Sequence, residues 1–328
     1  MPIQQMFMGL GGEAPIPAPT WNATGGNTVT PSVTIDGVDY KLHRFTSPGN
    51  FVITPGSGAY DVIVIAGGGS GGVDNGGAGG AGGVVDATVP SAIVSNGTYG
   101  VTIGAGGAAR PGSNDHGTGS QGSDSTYVVS PTITLTAKGG GAGNGWNTSQ
   151  PGAGGSGAGQ SGDPGGSGAP AGPATQPTQN PGLPWVTNLG NSGGNWSPGS
   201  GGYAGGGGGA GGAGQNSDAP NEIAGYGGLG YLTNGKYSTG PAGGLGEYPS
   251  GRIAGGGTGG FDAYAGDSGP PLLNTAPNPH NGAPKQSGSP APETACSSNT
   301  GGGGHGANHD NNTSGGGGSG VVVIRYVA

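Results

Sequence analysis

The sequence is nearly without cysteine and poor in charge, and both shortages limit what can hold the chain together. Its 328 residues include one cysteine, and 7 % of them are charged. A single thiol excludes an internal disulfide and any metal site built from several cysteines. Few charges leave little material for ion pairs, so the sequence predicts that neither sulfur nor salt bridges stabilise the fold.

Basic residues and long apolar runs are also scarce. Lys and Arg together number 8 against 16 Asp and Glu, which gives a net charge of −8. Proteins that bind nucleic acid usually carry a basic surface, so this balance argues against nucleic acid as a partner. No apolar run approaches the roughly 20 residues that a membrane-spanning helix needs, so membrane insertion is not expected.

Glycine takes the place of the missing side chains. The chain has 88 glycines and 28 prolines. Each glycine inside a helix costs about 1 kcal/mol relative to alanine, so a helical fold is excluded. The net charge is too small for the self-repulsion that is typical of disordered chains, and the composition therefore favours a folded protein.

Apolar residues concentrate in short segments that predict β-strands. Thr28–Ile35 and 40–45 flank an Asp-Gly turn, and Tyr60–Ile65 is a nearly continuous apolar run that indicates burial on both faces. Further strands are predicted at 51–54, 84–89, 100–103, 125–129, 132–137 and 321–326. We expect Tyr60–Ile65 and 321–326 to be neighbouring strands.

Several predicted strands run directly into glycine tracts. The tracts lie at 67–72, 76–83, 139–143, 201–214, 255–260 and 301–304. Polyglycine can form an analogue of the polyproline II helix, with three residues per turn and a rise of about 3.1 Å per residue. Without Cβ atoms, neighbouring helices can pair their peptide groups. The sequence therefore predicts an all-β fold, an antiparallel sandwich merging into a polyglycine II layer, with long loops rich in Pro, Asn and Gly.

Three segments resemble the glycine-rich domain of bacteriophage tail-fibre and adhesin proteins. They are HRFTSPGNFVI at 43–53, YDVIVIAGGG at 60–69 and SGGGGSGVVVIRY at 314–326. The first twelve residues, MPIQQMFMGLGG, are similar to the N-terminal peptide of virion structural proteins from marine phages. The resemblance implies a host-facing tail fibre or adhesin on the virion surface, without catalysis, whose loops contact a cell-surface receptor.

One domain, residues 21–328, is predicted behind an N-terminal attachment peptide, residues 1–20. Within the domain, a β-rich part at 28–140 and a closing strand at 319–328 flank a glycine-rich insertion at 141–318. The peptide is expected to anchor the chain to other virion proteins, and by analogy the chain could form a homotrimer. The anchoring residues would be Ile3, Gln4, Gln5, Met6, Phe7 and Met8.

Aromatic residues in the glycine-rich part are the candidate receptor contacts. Rings beside Gly, Pro and Asn suit either packing on glycine helices or recognition of a host surface glycan or outer-membrane protein. The candidates are Trp146, Trp185, Trp196, Tyr231 and Tyr248. The leading interpretation is therefore a phage fibre or adhesin that attaches the particle to its host. One alternative is a structural capsid or tail decoration protein without receptor binding, and another is an unfolded low-complexity chain of a matrix or wall protein.

Enzyme and metal motifs are incomplete in this chain. Residues 67–72 have the glycine spacing of a dinucleotide-binding loop, but the glycine-rich residues that follow cannot form the required helix. His305 and His309 are weak metal candidates, because glycines prevent a helix there and favour solvated loop positions. The carboxylates are scattered, with no visible pair on a rigid strand. The sequence predicts no enzyme, no cofactor and no metal site.

Overall fold

The computed structural model describes the sandwich and most of the glycine-rich part. The described residues are 16–112, 116–146, 150–162, 169–197, 202–218, 223–237, 252–260, 296–308 and 313–328. Their helical elements are two 3₁₀ turns, at Ser91–Ile93 and Gln176–Thr178. Across these ranges no helix is both long enough and apolar enough to cross a membrane.

Thirteen strands form the sheets of the described residues. In chain order they are β1 (Ala23–Thr24), β2 (Thr28–Ile35), β3 (Val38–Phe45), β4 (Gly49–Ile53), β5 (Tyr60–Ile65), β6 (Val84–Val89), β7 (Gly97–Thr102), β8 (Ser125–Ser130), β9 (Ile133–Ala137), β10 (Val186–Leu189), β11 (Tyr231–Leu232), β12 (Arg252–Ile253) and β13 (Val321–Val327). The predicted strands are confirmed, most of them to within a few residues at each end.

Two antiparallel sheets form a sandwich, which confirms the predicted all-β class. One sheet has the order β1-β4-β7-β8-β9, and the other has the order β10-β6-β5-β13-β3-β2. β11 and β12 form a separate pair. The predicted pairing of β5 with β13 is also confirmed, with Val321 opposite Ile65 and Arg325 opposite Asp61.

Both faces of β5 are buried, as its apolar run predicts. Val62 and Val64 belong to the core between the two sheets, where they join the rings of Phe51 and Tyr127. Ile63 belongs to a second cluster on the outer face of the six-stranded sheet, together with Tyr237 and Ile253. Side chains alternate between faces along a strand, so one continuous apolar run supplies both clusters.

The glycine tracts leave the sandwich at one end. Ile65 lies opposite Val84 and Val321 in one sheet, and Ser125 lies opposite Ala137 in the other. These strand ends all adjoin glycine-rich segments. Because the strands are paired in this register, the glycine tracts begin next to one another. Backbone bonds then connect the continuations of the two sheets, as where the Gly67 N–H donates to the Ser123 carbonyl at 3.1 Å.

The tract 67–72 pairs with three neighbours in strict rotation. Its successive N–H groups donate to the segments 120–123, 315–318 and 77–80, and then to the same three again, at N···O distances of 2.9 to 3.1 Å. A helix with three residues per turn presents every third peptide group to the same neighbour. The next tract rotates likewise among 301–307, 138–144 and 205–208. These bonds confirm the polyglycine II layer, which we call the glycine lattice.

The lattice leaves no room for a Cβ atom at many of its glycine positions. A Cβ added to Gly69 would lie 2.1 Å from the carbonyl oxygen of Gly141, and one added to Gly207 would lie 2.0 Å from that of Gly79. Both contacts are with backbone, which cannot rotate away. Glycine is therefore needed here for close approach of neighbouring chains.

The Gly207→Ala variant tests this requirement. Its methyl group would collide with the Gly79 carbonyl, and overpacking of this kind costs about 1–3 kcal/mol. We expect the free energy of unfolding in denaturant to fall by about that amount. Gly212→Ala in the same tract is the matched control, because its added Cβ meets nothing nearer than 3.6 Å. Equal stability of the two variants would contradict the claim that close packing of the lattice requires glycine at position 207.

Candidate ligand-binding cleft

An open cleft lies on the outer face of the six-stranded sheet. Its volume is about 920 Å³, and strands β6 and β13 contribute to its floor. The turn between β2 and β3 forms part of one wall, and the segment 231–236 forms part of another. The side chains that matter most for its chemistry are Tyr40, Asp86, Trp185, Tyr231, Lys236 and Arg325.

Strand register explains why polar side chains meet at the floor. Asp61 of β5 lies between Thr88 of β6 and Arg325 of β13, directly opposite both. Asp86 of β6 lies opposite Thr187 of β10. Residues opposite each other in an antiparallel pair share a face, and side chains two positions apart along a strand do so as well. Four strands therefore contribute polar groups to one surface.

Two carboxylates and two cations form a buried network at this floor. The Arg325 Nε donates to Asp61 Oδ2 at 2.8 Å. The Lys236 Nζ lies 3.3 Å from Asp61 Oδ1 and 3.2 Å from Asp86 Oδ1, so it bridges the two acids. The Asp61 and Arg325 side chains are only 3 % and 10 % exposed. We call these four residues the charge network.

The charge network corrects two expectations from the sequence. Ion pairs do take part in holding the chain together, although few residues are charged. Asp61 and Asp86 also form a carboxylate pair on adjacent rigid strands, β5 and β6. The sequence hides this because the two acids are 25 positions apart and meet only through strand pairing.

Two tyrosines complete the surroundings of Asp86. The Tyr237 hydroxyl donates to Asp86 Oδ1 at 2.6 Å, and the Tyr231 hydroxyl donates to Oδ2 at 2.8 Å. Burial, reinforced by the Asp86 charge, raises the pKa of both tyrosines above the usual range, so both stay protonated donors at neutral pH. The Arg325 guanidinium lies 4.3 Å from the ring centroid of Tyr40, a cation–π contact.

Two of the predicted receptor contacts come together at this cleft. Trp185 and Tyr231 both line it, and Trp185 also packs against the core between the sheets. Trp146 and Trp196 are half-buried, and neither is among the residues that line the cleft. Tyr248 lies outside the described residues.

Of the two candidate metal-binding histidines and the six anchoring residues, only His305 lies within the described residues. His305 is fully buried, so the expected solvated loop position is wrong for it, because the tract 301–307 carries it into the glycine lattice. His309 lies outside the described residues. Within the part that the structure describes, no group of three or more His, Cys, Asp or Glu could hold a metal. Also outside it are Ile3, Gln4, Gln5, Met6, Phe7 and Met8.

Sequence reasoning missed all four residues of the charge network. A signal for two of them was present, since Asp61 and Arg325 are single charges within apolar strands that were predicted to pair. Aligning those strands where their glycine tracts begin places the two charges opposite each other. Asp86 and Lys236 gave no comparable signal, because the position of Lys236 depends on the path of the chain through the glycine lattice.

These observations define an all-β protein in which a sheet sandwich continues into paired glycine helices, with a polar cleft on one sheet. The family model described as Glycine-rich domain matches residues 46–327. The chain therefore belongs to the glycine-rich domain family, and the match includes most of the sandwich and the lattice. No curated protein matches the chain.

Replacement of Asp61 tests how much the charge network contributes to the stability of the fold. In Asp61→Asn, Arg325 and Lys236 keep their buried charges but lose a shared partner, and breaking a buried pair costs about 3–5 kcal/mol. We expect a drop of that size in the free energy of unfolding. Lys138→Met breaks the more exposed pair with Asp124 and should cost about 0–1 kcal/mol. If both variants lost similar amounts of unfolding free energy, the larger contribution expected of the buried charge network would be wrong.

Proposed function

We propose that this chain is an attachment protein of a phage particle, a fibre or adhesin that binds the host cell surface. The observation that carries the proposal is the open cleft, where Trp185 and Tyr231 stand beside hydrogen-bonding groups. Binding sites for small molecules and sugars combine aromatic walls with a few fixed polar groups in this way. The receptor would be a surface glycan or an outer-membrane protein.

The rigidity of the surrounding structure supports a binding role. Asp86 is held by Tyr231, Tyr237 and Lys236, so its position does not depend on a ligand. Groups that are already ordered lose little conformational entropy on binding, which favours affinity. A cleft built in this way has no evident use in a decoration protein without a receptor.

The location on a virion rests on the resemblance of residues 43–53, 60–69 and 314–326 to phage fibre domains. With a net charge of −8, attraction to an anionic cell surface is not favoured, so short-range contacts must provide the binding. Each contact would be weak, and many copies on one particle would multiply the affinity. A homotrimer would be one way to collect such copies.

Replacement of Trp185 tests the attachment function. Beads coated with the purified chain should bind envelopes from a susceptible bacterial strain, and Trp185→Ala should reduce this binding at least tenfold because one aromatic wall is lost. Trp196→Ala is the matched control, since Trp196 does not line the cleft and should leave binding unchanged. Melting curves would confirm that both variants fold. Absence of binding by the native chain to any envelope in a broad panel would contradict the proposal.

A deletion tests the anchoring peptide separately. We expect a chain without residues 1–12 to fold and to bind envelopes as the full chain does, because the cleft is built from residues 35 to 325. Its incorporation into particles, followed by immunoblotting of purified virions, should be lost. Normal incorporation would show that the anchor lies elsewhere.

A further inference from the structure

The cleft also has features that select one chemical class of ligand. Building on the attachment function proposed above, we propose that it binds an uncharged oligosaccharide, whose hydroxyl groups bond to Asp86 and Lys236 and whose carbon faces pack on the aromatic wall. The argument rests on the charges of the floor, the open bonding positions and the shape of the cleft.

The charges of the floor cancel one another. Of the described lining residues, Lys236 and Arg325 are the cations, and both face carboxylates. Arg325 is held by Asp61 and by the Lys236 carbonyl, at 2.8 and 2.6 Å. Lys236 is shared between Asp61 and Asp86. An acidic sugar would therefore bring a further negative charge to a site whose cations are already neutralised, which disfavours it.

Asp86 and Lys236 offer an acceptor beside a donor. Asp86 Oδ2 accepts one hydrogen bond, from Tyr231, and a carboxylate oxygen has two lone-pair sites. The Lys236 ammonium has three N–H donors, two of which face Asp61 and Asp86, and its side chain is 24 % exposed. A sugar hydroxyl both donates and accepts hydrogen bonds, so two adjacent hydroxyls match this pair.

The walls suit the carbon faces of sugar rings, and the size suits more than one ring. Tyr40, Trp185 and Tyr231 line the cleft together with the apolar side chains of Ile35 and Val38. Its volume of about 920 Å³ lies near the upper end of the range for small-molecule pockets, roughly 300–1,000 Å³. The cleft is open, so a chain of sugars could enter and continue beyond it.

Thr187 allows the cleft to be blocked without replacing any residue of the charge network. It is exposed, lines the cleft and lies opposite Asp86 on the edge strand β10. Thr187→Trp places a large ring over Asp86, and tryptophan is well tolerated in strands. Thr134→Trp is the matched control, because Thr134 is an exposed threonine on β9, the edge strand of the other sheet.

The experiment measures binding of the full chain to immobilised oligosaccharides. The neutral probes are cellotetraose, maltotetraose and mannotetraose, and the acidic probes are tetragalacturonate and sialyllactose. We expect at least one neutral probe to bind tenfold or more above both acidic ones. Thr187→Trp should lower that binding at least tenfold, and Thr134→Trp should leave it unchanged, with melting curves confirming that both variants fold.

The outcomes separate this inference from the attachment function. Preference for an acidic probe, binding to no neutral probe, or neutral binding that survives Thr187→Trp would overturn the ligand class. If envelope binding remained dependent on Trp185 in any of these cases, the attachment function would stand. If a neutral probe bound at the cleft while no envelope bound, the ligand class would stand and the attachment function would fall.

Discussion

Hydrogen bonds between the peptide groups of side-chain-free helices are the interaction on which this molecule depends. Ordering a residue costs about 1–2 kcal/mol, and glycine loses more freedom than any other residue. One peptide hydrogen bond returns only about 0.5–1.5 kcal/mol, so an isolated glycine helix would not persist. In the lattice, the helices 67–72 and 76–83 each have partners in three directions, and most of their peptide groups are paired and buried. Close packing of backbone thus replaces the missing apolar side chains.

The sandwich determines where that lattice can begin. Because the ends of β5, β6 and β13 are in register, the glycine segments that adjoin them start side by side. The lattice in turn positions the cleft wall. Ala210 donates to the Ala254 carbonyl at 2.8 Å, and the Arg252 guanidinium bonds to the Gly230 carbonyl at 2.8 Å. These contacts place the segment 231–237 over the sheet, where the ion pairs of Lys236 with Asp61 and Asp86 hold it.

The fold could be predicted from the sequence because its signals are local. Strands such as β5 are visible in the sequence as short apolar runs, and several glycine tracts in one chain can pair their peptide groups as polyglycine II helices. The cleft and the charge network are different, since their residues come from strands and loops that lie far apart in the chain. Asp61 and Arg325, for example, are 264 positions apart. Trp185 and Tyr231 were found by residue type alone, and the same criterion selected Trp146 and Trp196, which do not line the cleft. Composition identifies aromatic rings, but only the path of the chain decides which of them share a surface.

Polar side chains supply the register that glycine cannot specify. A polyglycine helix that slides along its neighbour by one turn, about 9 Å, meets equivalent peptide groups, so backbone pairing leaves several alignments nearly equal in energy. Side chains remove this degeneracy. Asn144 exchanges two hydrogen bonds with Ser161, at 2.8 and 3.1 Å, and Gln176 accepts from the Lys138 N–H at 2.7 Å. The charge network acts in the same manner at the sheet, where buried ion pairs add little stability over apolar packing but accept few alternative arrangements. Although the chain has few charges, some of them lie where they fix the alignment of neighbouring segments. The cleft lies at one of these positions.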